Sequence, residues 1–89
     1  MGNEVILFKS EEKKSSSEIA AILRQVADRV EKGSMTLGQN ENSITLDFPR
    51  NMILEIKVEE EEKRNIKRSL EIELEWILGS EEQGGLVIG

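Results

Sequence analysis

Leu70-Glu71-Ile72-Glu73-Leu74-Glu75-Trp76 alternates large apolar and acidic residues without a break. Successive side chains of an extended chain point to opposite faces, so a period of two predicts a strand with Leu70, Ile72, Leu74 and Trp76 on one side. Ser69, Glu71, Glu73 and Glu75 fall on the other. Upstream, Met52, Leu54, Ile56 and Val58 alternate with Glu55, Lys57 and Glu59, although Ile53 breaks the pattern at the strand's start. The segment from Glu60 to Arg68 joins the two strands. Antiparallel pairing with Lys57 opposite Glu71 sets residue 56 against 72 and 54 against 74, so the apolar sets coincide. A shift by two residues would keep the faces but set Glu55 opposite Glu71, and charge favours the first register.

Working outward, Met35 and Leu37 alternate with Thr36, Gly38 to Asn42 is rich in turn residues, and Ile44, Leu46 and Phe48 alternate with Ser43, Thr45 and Asp47. This reads as a first hairpin. Pro49-Arg50-Asn51 interrupts the chain between the two hairpins, because proline has no N–H to give a ladder and its φ is fixed. Before the first hairpin, Ile19, Ile22, Leu23, Val26, Ala27 and Val30 recur at helical spacing as one apolar stripe. Ser15 and Glu18 have the spacing of a capping box at the helix start. Gly33 is placed to end the helix, and Arg24, Asp28 and Lys32 stand one turn apart along it. Glu4 to Lys9, with Val5, Ile6 and Phe8, suits another strand, covered on at least part of both faces.

The expected fold class is therefore α+β: strand, helix, then four strands, an antiparallel-rich sheet with one helix packed on its apolar face. Residues 1–78 form the expected domain, and 79–89 form a Gly- and Glu-rich tail that is expected to be flexible. Leu86-Val87-Ile88 of that tail could still join a sheet edge. One helix covers only part of a five-strand sheet, so sheet curvature, the tail or a second subunit must close the remainder. A chain of 89 residues is expected to bury one modest core without metals or disulfides.

Composition narrows the chemistry. Eighteen acidic and 12 basic residues give a formal charge of −6, which opposes a nucleic-acid backbone or an anionic membrane surface as the main partner. There is no histidine and no cysteine, which removes the neutral-pH proton shuttle, the thiol nucleophile, imidazole or thiolate zinc sites and disulfides together. Phe8, Phe48 and Trp76 are the only aromatics, too few for a typical single-strand stacking surface. No apolar run approaches the roughly 20 residues a membrane helix needs, and no leader pattern opens the chain, so a cytoplasmic location is expected. The glycines match neither a phosphate-binding loop nor a dinucleotide fingerprint.

Val5 to Glu12, the capped helix from Ser15 to Gly33, Ile44-Thr45-Leu46-Asp47-Phe48-Pro49, and the terminal strand from Leu70 to Trp76 together resemble, in that order, the amphi-Trp domain family. These are small prokaryotic proteins, common in archaea, named for an amphipathic strand ending in tryptophan. The resemblance covers about residues 4 to 77. The chain departs from the pattern in a longer, more basic connection around Lys63 to Arg68 and in its Gly-rich tail. The resemblance implies the element order and a prokaryotic cytosolic setting; it implies no activity and no catalytic residues.

Three groups are candidates for function. The first is the acidic face, where Glu55, Glu59, Glu71, Glu73 and Glu75, with Asp47 and Thr45 from the neighbouring strand, share a side by parity. Oxygen ligands of this kind suit calcium or magnesium, and paired carboxylates suit acid–base work. A flat solvated array, however, lacks the concavity that shifts proton affinities. The second is the basic tip Lys63, Arg64, Lys67 and Arg68, net +4 between segments of −4 (53–62) and −3 (69–76). It suits phosphates or an acidic patch on another copy, or else relieves repulsion among Glu59 to Glu62. The third is Trp76, expected as a large core anchor closing its strand. Ser15 to Ser17 are read as a helix cap, since no histidine is present to activate them. The expectation is a noncatalytic, self-associating or partner-binding interaction module without cofactors; a cation-binding or carboxylate-dependent enzyme on the acidic face is the alternative.

Overall fold

Helix formation starts where the capping groups put it. In a computed structural model that describes residues 2–39 and 41–79, Ser15 is extended (φ −72°, ψ 161°) and its Oγ accepts the Glu18 N–H at 3.1 Å. The Glu18 carboxylate accepts the Ser15 N–H at 2.9 Å, completing the reciprocal box. Helix α1 then runs Ser16–Lys32 and stops at Gly33, whose φ of 98° is the left-handed conformation that costs glycine least. The Gly33 N–H donates to the carbonyls of Arg29 (2.9 Å) and Val30 (3.2 Å), satisfying groups the helix end would leave open. Lys32 reaches Asp28 at 3.3 Å, one turn back, as the spacing predicts.

Gly33 also begins the next element. Strand β1 (Ser34–Gln39) follows at once and pairs antiparallel with β2 (Asn42–Asp47). Met35 faces Leu46 and Leu37 faces Ile44, so the predicted alternation is realised as in-register apolar pairs. Phe48 N–H donates to the Gly33 carbonyl at 2.8 Å, carrying the pairing one step beyond the ladder to the end of the helix. On the opposite face Thr36 and Thr45 are hydrogen-bonded through their hydroxyls at 2.8 Å. Gly38 lies so close to its partner strand that a Cβ there would stand 3.0 Å from Ser43 Cβ.

Beyond the Pro49 interruption, β3 (Ile53–Glu62) pairs antiparallel with β4 (Ile66–Glu75). The observed register is the one that charge favours: Lys57 opposite Glu71, Ile56 opposite Ile72, Leu54 opposite Leu74. The ladder is longer than expected. Residues 60–62 and 66–68, read from the sequence as connection, are strand residues, leaving only Lys63, Arg64 and Asn65 in the turn. Opposite charges explain the extension: Glu60 faces Arg68 and is ion-paired to it, and Glu61 faces Lys67. Lys63 N–H donates to the Asn65 carbonyl at 3.0 Å and tightens the turn.

The class is α+β; among the described residues there are one helix and four antiparallel strands, but the strands form two separate two-stranded ladders. The strand expected over 4–9 is not formed. Residues 2–14 have no regular secondary structure, and Val5, Ile6 and Leu7 are exposed while Phe8 is half-buried. A β-branched run is a strand only when another backbone offers it a ladder, and here both ladders are two-stranded. The chain divides into two compact units, Met1–Phe48 and Pro49–Gly89. Among the described residues none is fully buried, contrary to the expected core. A two-stranded ladder has two faces to cover; among the described residues the first unit offers α1 for this and the second offers no helix. In the first unit, Ile22 and Val26 of α1 line a cleft with Met35 and Leu37 of β1, and Ala20, Val26 and Val30 are the half-buried positions of the helix. Leu86 to Ile88, proposed above for a sheet edge, lie outside the described residues, as does most of the 79–89 tail.

Candidate functional site

The β3–β4 hairpin holds nearly every residue singled out from the sequence. Parity separates its faces. Leu54, Ile56, Val58, Leu70, Ile72 and Leu74 share one, as three directly opposed aliphatic pairs, and the charged pair Glu60–Arg68 closes the row towards the turn. Five of the six are more than half exposed, from 53% at Ile72 to 65% at Val58, and Leu74 is half-buried.

The opposite face carries Glu55, Lys57, Glu59 and Glu61 from β3 and Lys67, Ser69, Glu71, Glu73 and Glu75 from β4. Lys57 binds Glu71 across the ladder at 3.5 Å and Glu59 along its own strand at 3.8 Å. Those carboxylates, Glu59 foremost and then Glu71, hold the Lys57 ammonium above the ordinary lysine range. Glu73 has the reverse surroundings. It stands directly opposite Glu55, and its carboxyl is pushed above the usual carboxylate range by a hydrogen bond to Glu55, by the charge of Glu75 and then by that of Glu55 itself. Such a bond between two carboxyls requires a proton on one of them. Glu75 faces Ile53, the residue that broke the pattern in the sequence.

Asp47 and Thr45 do not join this face: both belong to β2, with Thr45 hydrogen-bonded to Thr36 and Asp47 opposite Ser34. The sequence placed them in the same sheet because it could not reveal that the ladders are separate. Among the described residues no set of three carboxylates is arranged to hold a metal ion.

The basic tip is redistributed. Lys63 and Arg64 occupy the turn, with Lys63 3.5 Å from Glu61; Lys67 lies on the polar face opposite Glu61; and Arg68 is on the apolar side, bonded to Glu60. The acidic run of β3 thus absorbs much of this positive charge. These are exposed pairs, each worth about 0–1 kcal/mol, and they set register more than stability. Trp76 lies one residue beyond β4 and is half-buried, so it does not anchor a closed core.

The alternation predicts the aliphatic side of each strand, and its exposure here goes beyond the uncovered remainder expected of a one-helix sheet. The available signal was the ratio of elements, one helix for all the strands. Among known proteins, the family model of the Amphi-Trp domain matches residues 1–89, the tail and the basic connection included. No curated protein and no solved structure matches the chain.

Proposed function

The chain belongs to the Amphi-Trp domain family, and we propose that it is a noncatalytic protein-binding or assembly module of the cytoplasm whose working surface is the β3–β4 hairpin. The observation that carries this reading is the exposed, in-register aliphatic row Leu54/Leu74, Ile56/Ile72 and Val58/Leu70. Apolar area removed from water is worth about 25 cal/mol per Å², so a contiguous aliphatic row is the part of this hairpin with most to gain from contact. The chemistry available points the same way, because without histidine or cysteine the polar face offers solvated carboxylates on a flat ladder.

The test is face-specific. A photo-crosslinking residue replacing Ile72 in the full chain, expressed in the native host, becomes linked to protein, whereas the same residue replacing Glu71 on the opposite face does not. Equal linkage from both positions, or linkage from Glu71 alone, overturns the proposal.

A further inference from the structure

The hairpin has two outer edges, and they differ in charge order. Along β3 the last four residues are Glu59, Glu60, Glu61 and Glu62, a like-charged run that resists pairing with a second copy of itself. Along β4 the charge changes sign midway: Lys67 and Arg68 come first, then Glu71, Glu73 and Glu75. A strand that is basic at its start and acidic at its end is complementary to itself when two copies run antiparallel. In the described hairpin β4 pairs only with β3, it has ten residues, and it carries neither proline nor glycine to blunt its outer edge.

We infer that the partner is a second copy of this chain, joined through the outer edge of β4 to β4 of the other copy about a two-fold axis at Leu70, to give a four-stranded β3-β4-β4-β3 sheet. This rests on the reading of the hairpin as an interaction surface and names its partner. The register follows from charge and parity. Centring the axis on Leu70 places Lys67 opposite Glu73, Ser69 opposite Glu71 and Ile66 opposite Leu74 of the other copy, each pair on a common face. Moving the centre to Glu71 puts that carboxylate against its own copy. Moving it to Ser69 gives a shorter ladder and spends Lys67 on Glu71, which Lys57 already serves. Only the Leu70 centre brings a cation to Glu73, the carboxylate that the single hairpin leaves between Glu55 and Glu75. The joined sheet also merges two aliphatic rows into one wider face, and sheets of three or more strands gain the stability an isolated hairpin lacks.

Sedimentation equilibrium of the full chain tests this together with charge exchange. The wild type is a reversible dimer. Lys67→Glu and Glu73→Lys each weaken dimerisation by about tenfold or more by setting like charges face to face, and the double exchange restores it. Restoration in the double variant also separates lost pairing from lost folding. Because the chain has no cysteine, Leu70→Cys alone reports the axis: it forms a disulfide-linked dimer on oxidation, and Leu54→Cys on β3 does not. A monomer up to millimolar concentration, a dimer indifferent to both single exchanges, or no rescue in the double variant overturns the inference. If any of these occurs while position 72 still crosslinks to a different protein, the self-pairing fails and the broader interaction role stands.

Discussion

Met35, Leu37, Ile44 and Leu46 of the β1–β2 ladder are half-buried, whereas Leu54, Ile56, Val58, Leu70 and Ile72 of the β3–β4 ladder are mostly exposed. Both hairpins have the same period-two pattern and both pair apolar residues directly across the strands. They differ in what is attached. The first receives an amphipathic helix through a single glycine, and the Phe48–Gly33 hydrogen bond fixes the junction. The second is longer, ten residues per strand against six, and draws its register from charge pairs towards the turn. Alternation therefore specifies a face, while cover is specified by a neighbour.

The largest effect expected from this difference comes from matched truncations. Leu46→Ala removes a half-buried side chain opposite Met35 and is expected to cost about 2 kcal/mol, whereas Ile72→Ala, already half exposed, costs less than about 1 kcal/mol in the unpartnered chain. Urea titration followed by NMR signals of each hairpin reads both. Equal losses would break the comparison and show that the β3–β4 row is covered in solution.

Next in size is the junction that gives the first hairpin its helix. Gly33→Ala forces a Cβ into the left-handed region and is expected to cost about 1 kcal/mol, although no atom would crowd the added methyl. The loss falls on α1 and β1–β2, and amide exchange of β3–β4 stays unchanged. A variant as stable as the wild type would show that the turn relaxes without the helix and ladder noticing. Slightly smaller is the cap: Ser15→Ala loses the bond to Glu18 N–H and is expected to cost about 0.5–1 kcal/mol, with helical circular dichroism falling before either ladder melts. Glu18→Gln, which keeps an acceptor at the same place, costs less.

Much of this organisation is legible along the chain because it is local. The Ser15/Glu18 box, the Gly33 stop and the Asp28–Lys32 pair each depend on residues within one turn, and all occur as spacing predicts. The β3–β4 register is legible too, because Lys57 against Glu71 is resolved by charge between neighbouring strands. The failures are of longer range. Val5 to Phe8 has strand composition, but whether a ladder receives it depends on distant backbone. Asp47 shares its parity with Glu71 but not its ladder. The reach of β3 through Glu62 was hidden because a run of four glutamates reads as loop until Arg68 and Lys67 are set opposite it.

The smallest effect distinguishes the two ladders by pH. Glu73 sits across from Glu55 with its carboxyl held above the ordinary value, first by the shared hydrogen bond and then by the charges of Glu75 and Glu55. The folded hairpin consequently binds that proton more tightly than the unfolded chain does. Its contribution is fully present below the unfolded carboxylate value and is lost as pH rises through the folded one, so neutral pH leaves two repelling carboxylates across the ladder. Lys57, raised by Glu59 and then Glu71, has the corresponding loss only in the alkaline range above 10.5. The β1–β2 pairs set no two acids opposite one another. Lowering the pH from neutrality into the carboxylate range should therefore raise the protection of β3–β4 amides, corrected for intrinsic exchange, relative to those of β1–β2. Glu73→Gln, which keeps the hydrogen bond and removes the charge, should make the two hairpins respond alike. If the difference persists in that variant, the acidic pair is screened by solvent and the pH response of the hairpin arises elsewhere on its polar face.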